Sequence, residues 1–417
     1  MKILVSAVAC DPYMGSENHF GWSAIKCLAR KHELWVITAK SNQPDMEKAA
    51  AAGLIPPNVH FAYAGEFKPC HPNRTLARIQ SWQEYIGFIR DSLTVARELH
   101  QTEKFDVVHH ITYTTSRVAS PMWRLGIPFV YGPICGNEPF PFRLFPVLSL
   151  AGAAFELVRK ASNCFSRYSP AGRESIRRAA HVFAVTREAE DLMETVRGSA
   201  EGISQLSPGF YSPEKVAAFS RFVAGKKVDG VLRLYVAGNL GGQKCIAIAL
   251  LALARVKKRG VDFRYHLGAG GPELPHLKKL VGKLDLTREV IFGGPMSRDD
   301  YEKELGDTHI YLLPSMRETV GLTMLEAMLA GAVPIVADNG GPRLTVTEEC
   351  GYKIPVSSPD RMAQEIAEII IKIDQERQII SDKGKRASER VATFSSEEHY
   401  LESVDRVYRE LTKANIP

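Results

Sequence analysis

The strongest constraint on the fold is a rhythm that runs through the chain twice. Short β-branched runs alternate with longer stretches of helical periodicity. Candidate strands lie at residues 2–8, 33–38, 59–64, 107–110, 129–131 and 181–185, with helical patterns at 17–30, 82–99 and 187–196 between them. Around residues 204–215 the rhythm stops at QLSPGFYSPEK, whose prolines and glycine read as a linker. It then restarts with strands at 232–237, 263–267, 290–292, 309–313 and 333–337, helices at 247–258 and 361–373, and a charged closing helix at about 396–412. Strand, turn and helix in repetition build βαβ units, and those give a parallel sheet covered by helices on both faces. The expectation is therefore an α/β protein with two parallel-sheet domains. In open sheets of this kind ligands sit beyond the carboxyl ends of the strands, so the two domains are expected to face a cleft. Trp22 and Trp82 are expected in the core.

Composition narrows the function classes. Of 417 residues, 45% are hydrophobic and 24% charged, an ordinary globular mix that excludes a disordered or fibrous chain. Lys and Arg number 53 against 47 Asp and Glu, a net charge of +6 that is too thin to argue for nucleic acid. Seven cysteines without a CxxC pair read as reduced, buried thiols in an intracellular protein, with neither a disulfide framework nor a zinc site. The opening MKILVSAVACDPY turns polar too soon for a secretory leader. The apolar-leaning stretch 139–158 holds Arg143, Glu156 and several prolines, so it is not a membrane span. Between Arg159 and Arg178, six basic residues stand against the single acid Glu174, and Phe155, Leu157 and Val158 lead into them. Residues 155–178 therefore read in two ways: as an amphipathic face making peripheral contact with an anionic membrane or a lipid-linked substrate, or as a solvated basic helix covering the first domain.

The most informative stretch is LPSMRETVGLTMLEAMLAGAVPIVADNGGP, residues 313–342. Glu318 and Glu326 stand eight positions apart, with Gly321 between them and a helix-forming run after it. A turn at 318–321 opening a helix would leave its first amides free, which is a site for a diphosphate. Glu326, about one turn in, can accept hydrogen bonds from a ribose diol, while Glu318 lies before the helix. GAGGPE at 268–273 lacks the G-x-G-x-x-G spacing, because Glu273 stands where the third glycine belongs, and reads as a simple turn.

These residues carry a resemblance. E-x7-E with E-x-x-G inside it, then E-A-M-x-A-G-x-x-P-I-V-A and G-G, is similar to retaining glycosyltransferases of the GT-B fold, glycosyltransferase family 4 (glycosyltransferase group 1). VAGNLGGQKCIAIALLALARV, YHLGAGGPELPHLKKL, IFGGPMSRDDYEKEL and THIYLLPS follow in the family's order, and DPYMGSENHFGW resembles its glycine loop after the first strand. FDVVHHITYTTSR and RLGIPFVYGPICGNE look like a subgroup with a histidine at the fourth strand end. The resemblance implies two Rossmann-like domains: an acceptor domain at 1–207, with the C-terminal helix 396–417 packing back on it, and a nucleotide-sugar donor domain at 208–395. It implies that Glu318 contacts the transferred sugar, that backbone at Val320, Gly321 and Leu322 holds the diphosphate, that Glu326 holds the ribose and that Lys244 neutralises the leaving phosphate. Pro295 and Met296 would meet the base. Gly15 and Ser16 would face donor phosphate and acceptor, and His110, or His109, the anomeric centre.

The implied reaction is transfer of a sugar from a nucleotide-diphosphate donor to a glycan or lipid-linked acceptor, with retention of configuration. No cofactor is expected, and the absence of a D-x-D motif points away from a metal. The sequence departs from the family where Asn239 replaces an arginine that would share the diphosphate, and where Cys245 replaces the glycine after the lysine. Arg317 could supply the missing charge, but adjacent side chains point apart. Two rivals remain: a nicotinamide-dependent oxidoreductase, which lacks its G-x-G-x-x-G fingerprint here, and a non-catalytic GT-B scaffold that binds a glycan. A cytoplasmic protein, peripheral at the inner face of the membrane, is the expected setting.

Overall fold

The computed structural model describes residues 1–15, 17–67, 74–113, 119–136, 138–167, 169–268, 270–294 and 296–413. They form two compact units: residues 1–137, 163–208 and 398–417 in one, and residues 138–162 and 209–397 in the other.

The first unit is built on a seven-stranded parallel sheet of order β3-β2-β1-β4-β5-β6-β7. Its strands are β1 (Lys2–Ser6), β2 (Glu33–Ala39), β3 (Val59–Ala64), β4 (Val107–His110), β5 (Phe129–Ile134), β6 (His181–Ala184) and β7 (Ile203–Gln205). β1 pairs with β2 on one side and β4 on the other, so the strand order reverses there. That reversal leaves a crevice at the carboxyl ends of β1 and β4. Leu4, Ile37, Val108 and Phe129 pack the sheet's core, and a run buried on both faces reads as continuous apolar sequence.

The C-terminal helix Glu397–Lys413 belongs, from Glu398 on, to this unit. It buries Tyr400, Leu401, Val404 and Tyr408 at four- and three-residue spacing. Asp405 on the same helix is paired with Lys31 at 3.2 Å and Arg409 at 3.0 Å. Trp22 is buried, whereas Trp82 is 43% exposed. Trp82 lies on the outer side of the long helix Arg74–Glu103, where Tyr85, Phe88 and Ile89 take the inner positions.

The second unit repeats the plan with six parallel strands in the order β10-β9-β8-β11-β12-β13. They are β8 (Leu232–Ala237), β9 (Phe263–Gly268), β10 (Val290–Phe292), β11 (Ile310–Leu313), β12 (Val333–Ala337) and β13 (Tyr352–Ile354). Here β8 is the reversal strand, flanked by β9 and β11. Residues 138–162, grouped by sequence with the first half, belong to this unit because Phe140, Leu144 and Leu148 are buried in its core. The linker stretch resolves into the edge strand β7 and the helix Pro213–Ala224, whose N-cap Ser212 accepts the amide of Lys215. Of the described cysteines, Cys10, Cys27, Cys245 and Cys350 are buried thiols, but Cys164 is exposed on the helix Leu150–Arg167.

The first unit carries a pH liability. His109 and His110 are both fully buried on β4. His109 Nε2 lies 2.8 Å from the Gly132 carbonyl and Nδ1 lies 2.6 Å from the Tyr408 hydroxyl. His110 Nδ1 and Nε2 hold Ser6 Oγ and Tyr85 Oη, each at 3.1 Å. Burial pulls His109 down to about 3 and His110 to about 4. Unfolded histidine titrates near 6.5, so above that pH both states are neutral and stability is complete. Below it the unfolded chain takes up protons that the fold refuses, and stability is lost as pH falls from about 6.5 towards 4. At pH 5 each histidine is expected to cost on the order of 2 kcal/mol. Calorimetry at pH 7, 6 and 5 should show a steadily falling melting temperature, and a flat profile would contradict it.

Candidate functional site

The site in the second unit is assembled by the loops that follow β8, β11 and β12. After β8 the chain passes Gly238 and Asn239, makes one 3-10 turn over Gly242–Lys244, and enters the helix Ile246–Lys258. Cys245 sits between turn and helix at φ 50°, a left-handed conformation. Glycine adopts it freely, whereas any other residue pays about 1 kcal/mol. This is the position where the resembling family has glycine, so the departure at Cys245 is a backbone cost and not a lost contact. Its buried thiol is pushed well above the usual range by desolvation.

Lys244 is 8% exposed, and its Nζ donates to Glu318 Oε2 at 3.0 Å. Gly238, at φ +96°, holds a backbone conformation that a side chain would strain. Glu318 lies in the loop after β11. Ser315 Oγ and the Met316 amide both donate to the Gln243 carbonyl, at 3.0 and 2.8 Å, and tie that loop to the lysine turn. From the loop after β12, Asn339 Nδ2 donates to the Met316 carbonyl at 2.7 Å and the Gly341 amide to the Glu318 carbonyl at 2.8 Å. A Cβ on Gly340 would lie 2.6 Å from the Glu318 carbonyl oxygen, and one on Gly341 1.9 Å from that of Thr319. The glycine pair is therefore what lets the backbone carrying Glu318 lie this close.

Gly321, at φ +77°, is the N-cap of the helix Leu322–Leu329, with no side chain capping it. Leu325 donates the first helical bond, to the Gly321 carbonyl at 3.0 Å. The amides of the first turn give this end a partial positive charge of about half a unit. Val320 packs against Gly209, where a Cβ would meet its Cγ1 at 2.3 Å. The Leu322 carbonyl accepts from Tyr211 Oη at 3.0 Å. Glu326, one turn on, is held on both oxygens: Tyr301 Oη donates to Oε2 at 2.5 Å and Lys215 Nζ contacts Oε1 at 2.7 Å. Burial and the Glu326 charge push the Tyr301 phenol well above its usual range.

Lys244, Glu318 and Gly321 thus share one locality, and Glu326 stands a turn away on the same helix. Asn239 is exposed on the β8 loop, and Met296 Sδ accepts a contact from Tyr235 Oη at 3.8 Å. Pro295 and Ser16 lie outside the described residues. Arg317 turns away from Glu318 and meets both oxygens of the buried Glu156 at 2.9 Å. Its charge is spent there and does not replace that of an arginine at 239. Glu273 is buried and accepts from the Ser149 amide at 3.0 Å, which explains an acid where a nucleotide loop would have glycine.

Gly15 and His110 belong to the other unit. Gly15 is exposed after β1, with nothing within 4 Å of a Cβ there. His110 ends β4, and Glu17 Oε1 accepts the Tyr113 amide at 2.8 Å, linking the loops after β1 and β4. Sequence reading missed Lys215, Tyr211 and Tyr301 around Glu326. Tyr301 lies inside the quoted stretch IFGGPMSRDDYEKEL, and Tyr211 and Lys215 inside QLSPGFYSPEK, but nothing in either stretch ties them to Glu326.

Residues 219–387 match the family model described as glycosyl transferases group 1. Over 171 residues the chain is 25% identical to a 2-deoxystreptamine glucosyltransferase of Streptomyces kanamyceticus, covering 40% of this chain and 44% of that protein. It is 23% identical to an uncharacterized glycosyltransferase of Bacillus subtilis (YqgM) over 325 residues, 74% of this chain and 78% of the relative. A third relative, an alpha-D-kanosaminyltransferase of Streptomyces kanamyceticus, is 26% identical over 48% of this chain and 53% of its own length. The chain thus spans about half the length of two of these three relatives. Its fold is similar to a sucrose-phosphate synthase from Thermosynechococcus elongatus, with TM-score 0.66 at 17% identity over 99% of this chain and 100% of that one. Anabaena HepE, solved in complex with UDP and glucose, is similar at TM-score 0.60 and 17% identity over 98% of this chain and 100% of its own. The fold is that of the GT-B structures it resembles, and residues 219–387 match the glycosyl transferases group 1 model.

Proposed function

We propose that the protein is a retaining glycosyltransferase of family 4. It takes a sugar from a nucleotide-diphosphate donor and passes it to a glycan or lipid-linked acceptor, without a metal. The observation that carries this reading is the Lys244–Glu318 pair at the carboxyl ends of β8 and β11, beside the uncapped helix start at Gly321. Glycosyl transfer builds negative charge on the leaving diphosphate and positive charge at the anomeric carbon. A fixed ammonium and helix-start amides stabilise the first without reorganising. Glu318 releases Lys244 to the phosphate and turns to hydroxyls of the sugar. Val320, Gly321 and Leu322 offer backbone to the diphosphate. Glu326, oriented by Tyr301 and Lys215, accepts from the ribose diol.

In the same-face step the bond from the anomeric carbon to the diphosphate oxygen breaks. The acceptor oxygen bonds to that carbon from the same side, and its proton passes to the leaving diphosphate. Metal independence rests on Lys244 and the helix start supplying the charge that a D-x-D-held cation supplies elsewhere. Gly15 and Ser16 are assigned to donor phosphate and acceptor, Pro295 and Met296 to the base, and Asn239 to a neutral hydrogen bond on the diphosphate. His110, or His109, is assigned to the anomeric centre.

A thermal-shift screen against nucleoside diphosphates tests the donor site, because a ligand that binds only the folded state raises the melting temperature. Incubation with nucleotide sugars should then release nucleoside diphosphate slowly without acceptor. No shift with any diphosphate and no release from any donor would remove this reading. A shift without release would leave the binding scaffold.

A further inference from the structure

We infer that the helix Leu150–Arg167 docks flat on an anionic bilayer through an apolar face centred on Leu150, Ala154 and Val158. Leu150 is 93% exposed, Val158 71%, Leu157 50% and the neighbouring Phe142 57%. Ala151, Ala154, Phe155 and Ala161 are exposed as well. At 3.6 residues per turn, positions 150, 151, 154, 155, 157, 158 and 161 fall on one side of the helix. A contiguous apolar side left in water marks an interaction surface.

Charge selects the occupant. The acids between residues 138 and 162 are Glu138 and Glu156, both 3% exposed and both neutralised, by Arg159 at 3.5 Å and Arg317 at 2.9 Å. The exposed charges of this segment are Arg143 and Lys160, and Lys160 Nζ stands 3.4 Å above the Phe142 ring. Within residues 138–162 the helix thus presents apolar side chains beside the two exposed cations Arg143 and Lys160 and no exposed acid, the pattern of a helix lying at the boundary of lipid headgroups. No helix among the described residues is long and apolar enough to cross a membrane. Arg159, expected among the membrane-facing cations, is instead engaged with Glu138.

The opposite side of the same helix is bonded to the donor loops. Glu156 grips Arg317, next to Glu318, and Gly152 packs so closely that a Cβ would lie 2.5 Å from Glu273 Oε1. A bilayer that fixes this helix also fixes the backbone beside Glu318. This deepens the proposed function: the lipid-linked acceptor rests on that reading, whereas docking itself does not.

The test is flotation of the full chain with vesicles of phosphatidylcholine alone or with phosphatidylglycerol. Binding is expected to the anionic vesicles and to weaken with salt. The double variant Leu150→Asp/Val158→Asp changes only exposed positions, so its melting temperature should match the unaltered chain. Its partitioning should fall at least tenfold, roughly the weight of the apolar groups removed. Salt-insensitive or absent flotation, or flotation untouched by the double variant, overturns the inference. So does a dimer in lipid-free buffer that this variant dissociates, because the face would then meet a second copy. Nucleotide-sugar hydrolysis in lipid-free buffer should be equal for both chains. Its absence from both would remove the transferase reading and leave the docking result standing.

Discussion

Lys244→Ala is expected to lower nucleotide-sugar turnover by about 10²–10³-fold, with most of the loss in kcat. The side chain is 10% exposed and its amine is held on Glu318 at 3.0 Å, and the proposed function assigns that amine to the leaving diphosphate. Removing one such preorganised donor typically costs about 3–4 kcal/mol of transition-state stabilisation. Stability falls too, because Glu318, 21% exposed at its side chain, keeps its charge without a partner. The two effects separate in a double-mutant cycle. Glu318→Gln alone removes the paired carboxylate, and Lys244→Met/Glu318→Gln should recover stability while leaving turnover at the level of the worse single variant. Lys244→Arg is not expected to rescue, because a planar guanidinium fork does not place a compact charge where the ammonium sits. Turnover in Lys244→Ala within threefold of the unaltered chain would remove the lysine from the chemistry.

Gly341→Ala should be nearly as damaging, although residue 341 touches no substrate in the proposed mechanism. Its Cβ would stand 1.9 Å from the Thr319 carbonyl oxygen, a backbone atom that moves only with its loop. The loop that moves is the one carrying Glu318, since the Gly341 amide bonds the Glu318 carbonyl. Overpacking of this kind costs about 1–3 kcal/mol. A displacement near 1 Å at a reacting group costs about 10² in rate. Gly87→Ala, on the helix Arg74–Glu103 with nothing within 4 Å of its Cβ, is the control. It should stabilise the chain by up to about 1 kcal/mol. Equal turnover in Gly341→Ala would mean that the loop adapts without disturbing Glu318.

The fold was legible in sequence where a strand was a run of apolar and aromatic residues bounded by turns. β3, β4, β8, β10 and β12 begin and end at the expected residues, because short apolar or aromatic runs flanked by turns have few other readings. β7 and β13 escaped because their three residues, Ile203–Gln205 and Tyr352–Ile354, mix polar and apolar side chains and carry no apolar run, unlike the equally short edge strand β10, Val290–Phe292. The neighbours His109 and His110 could not be told apart from sequence. Successive strand residues face opposite ways, and only the packed structure shows which partners each side chain meets. Glu318, Gly321 and Glu326 were legible together because they lie on one loop and helix. Lys215 was not, because its contact with Glu326 bridges more than a hundred positions that no local pattern records.

The assignment of residues 138–162 to the second unit has a practical outcome. The chain enters that unit, leaves it at residue 163, returns at 209 and leaves again near 397, so the halves are interleaved in the gene and not arranged in tandem. Cutting at the visible linker would give a C-terminal piece stripped of Phe140, Leu144 and Leu148, with Arg317 deprived of Glu156 and a bare apolar trough in their place. Such a piece should precipitate. Supplying residues 138–162 as a separate peptide should restore it to solution, much as a missing wedge restores an arch.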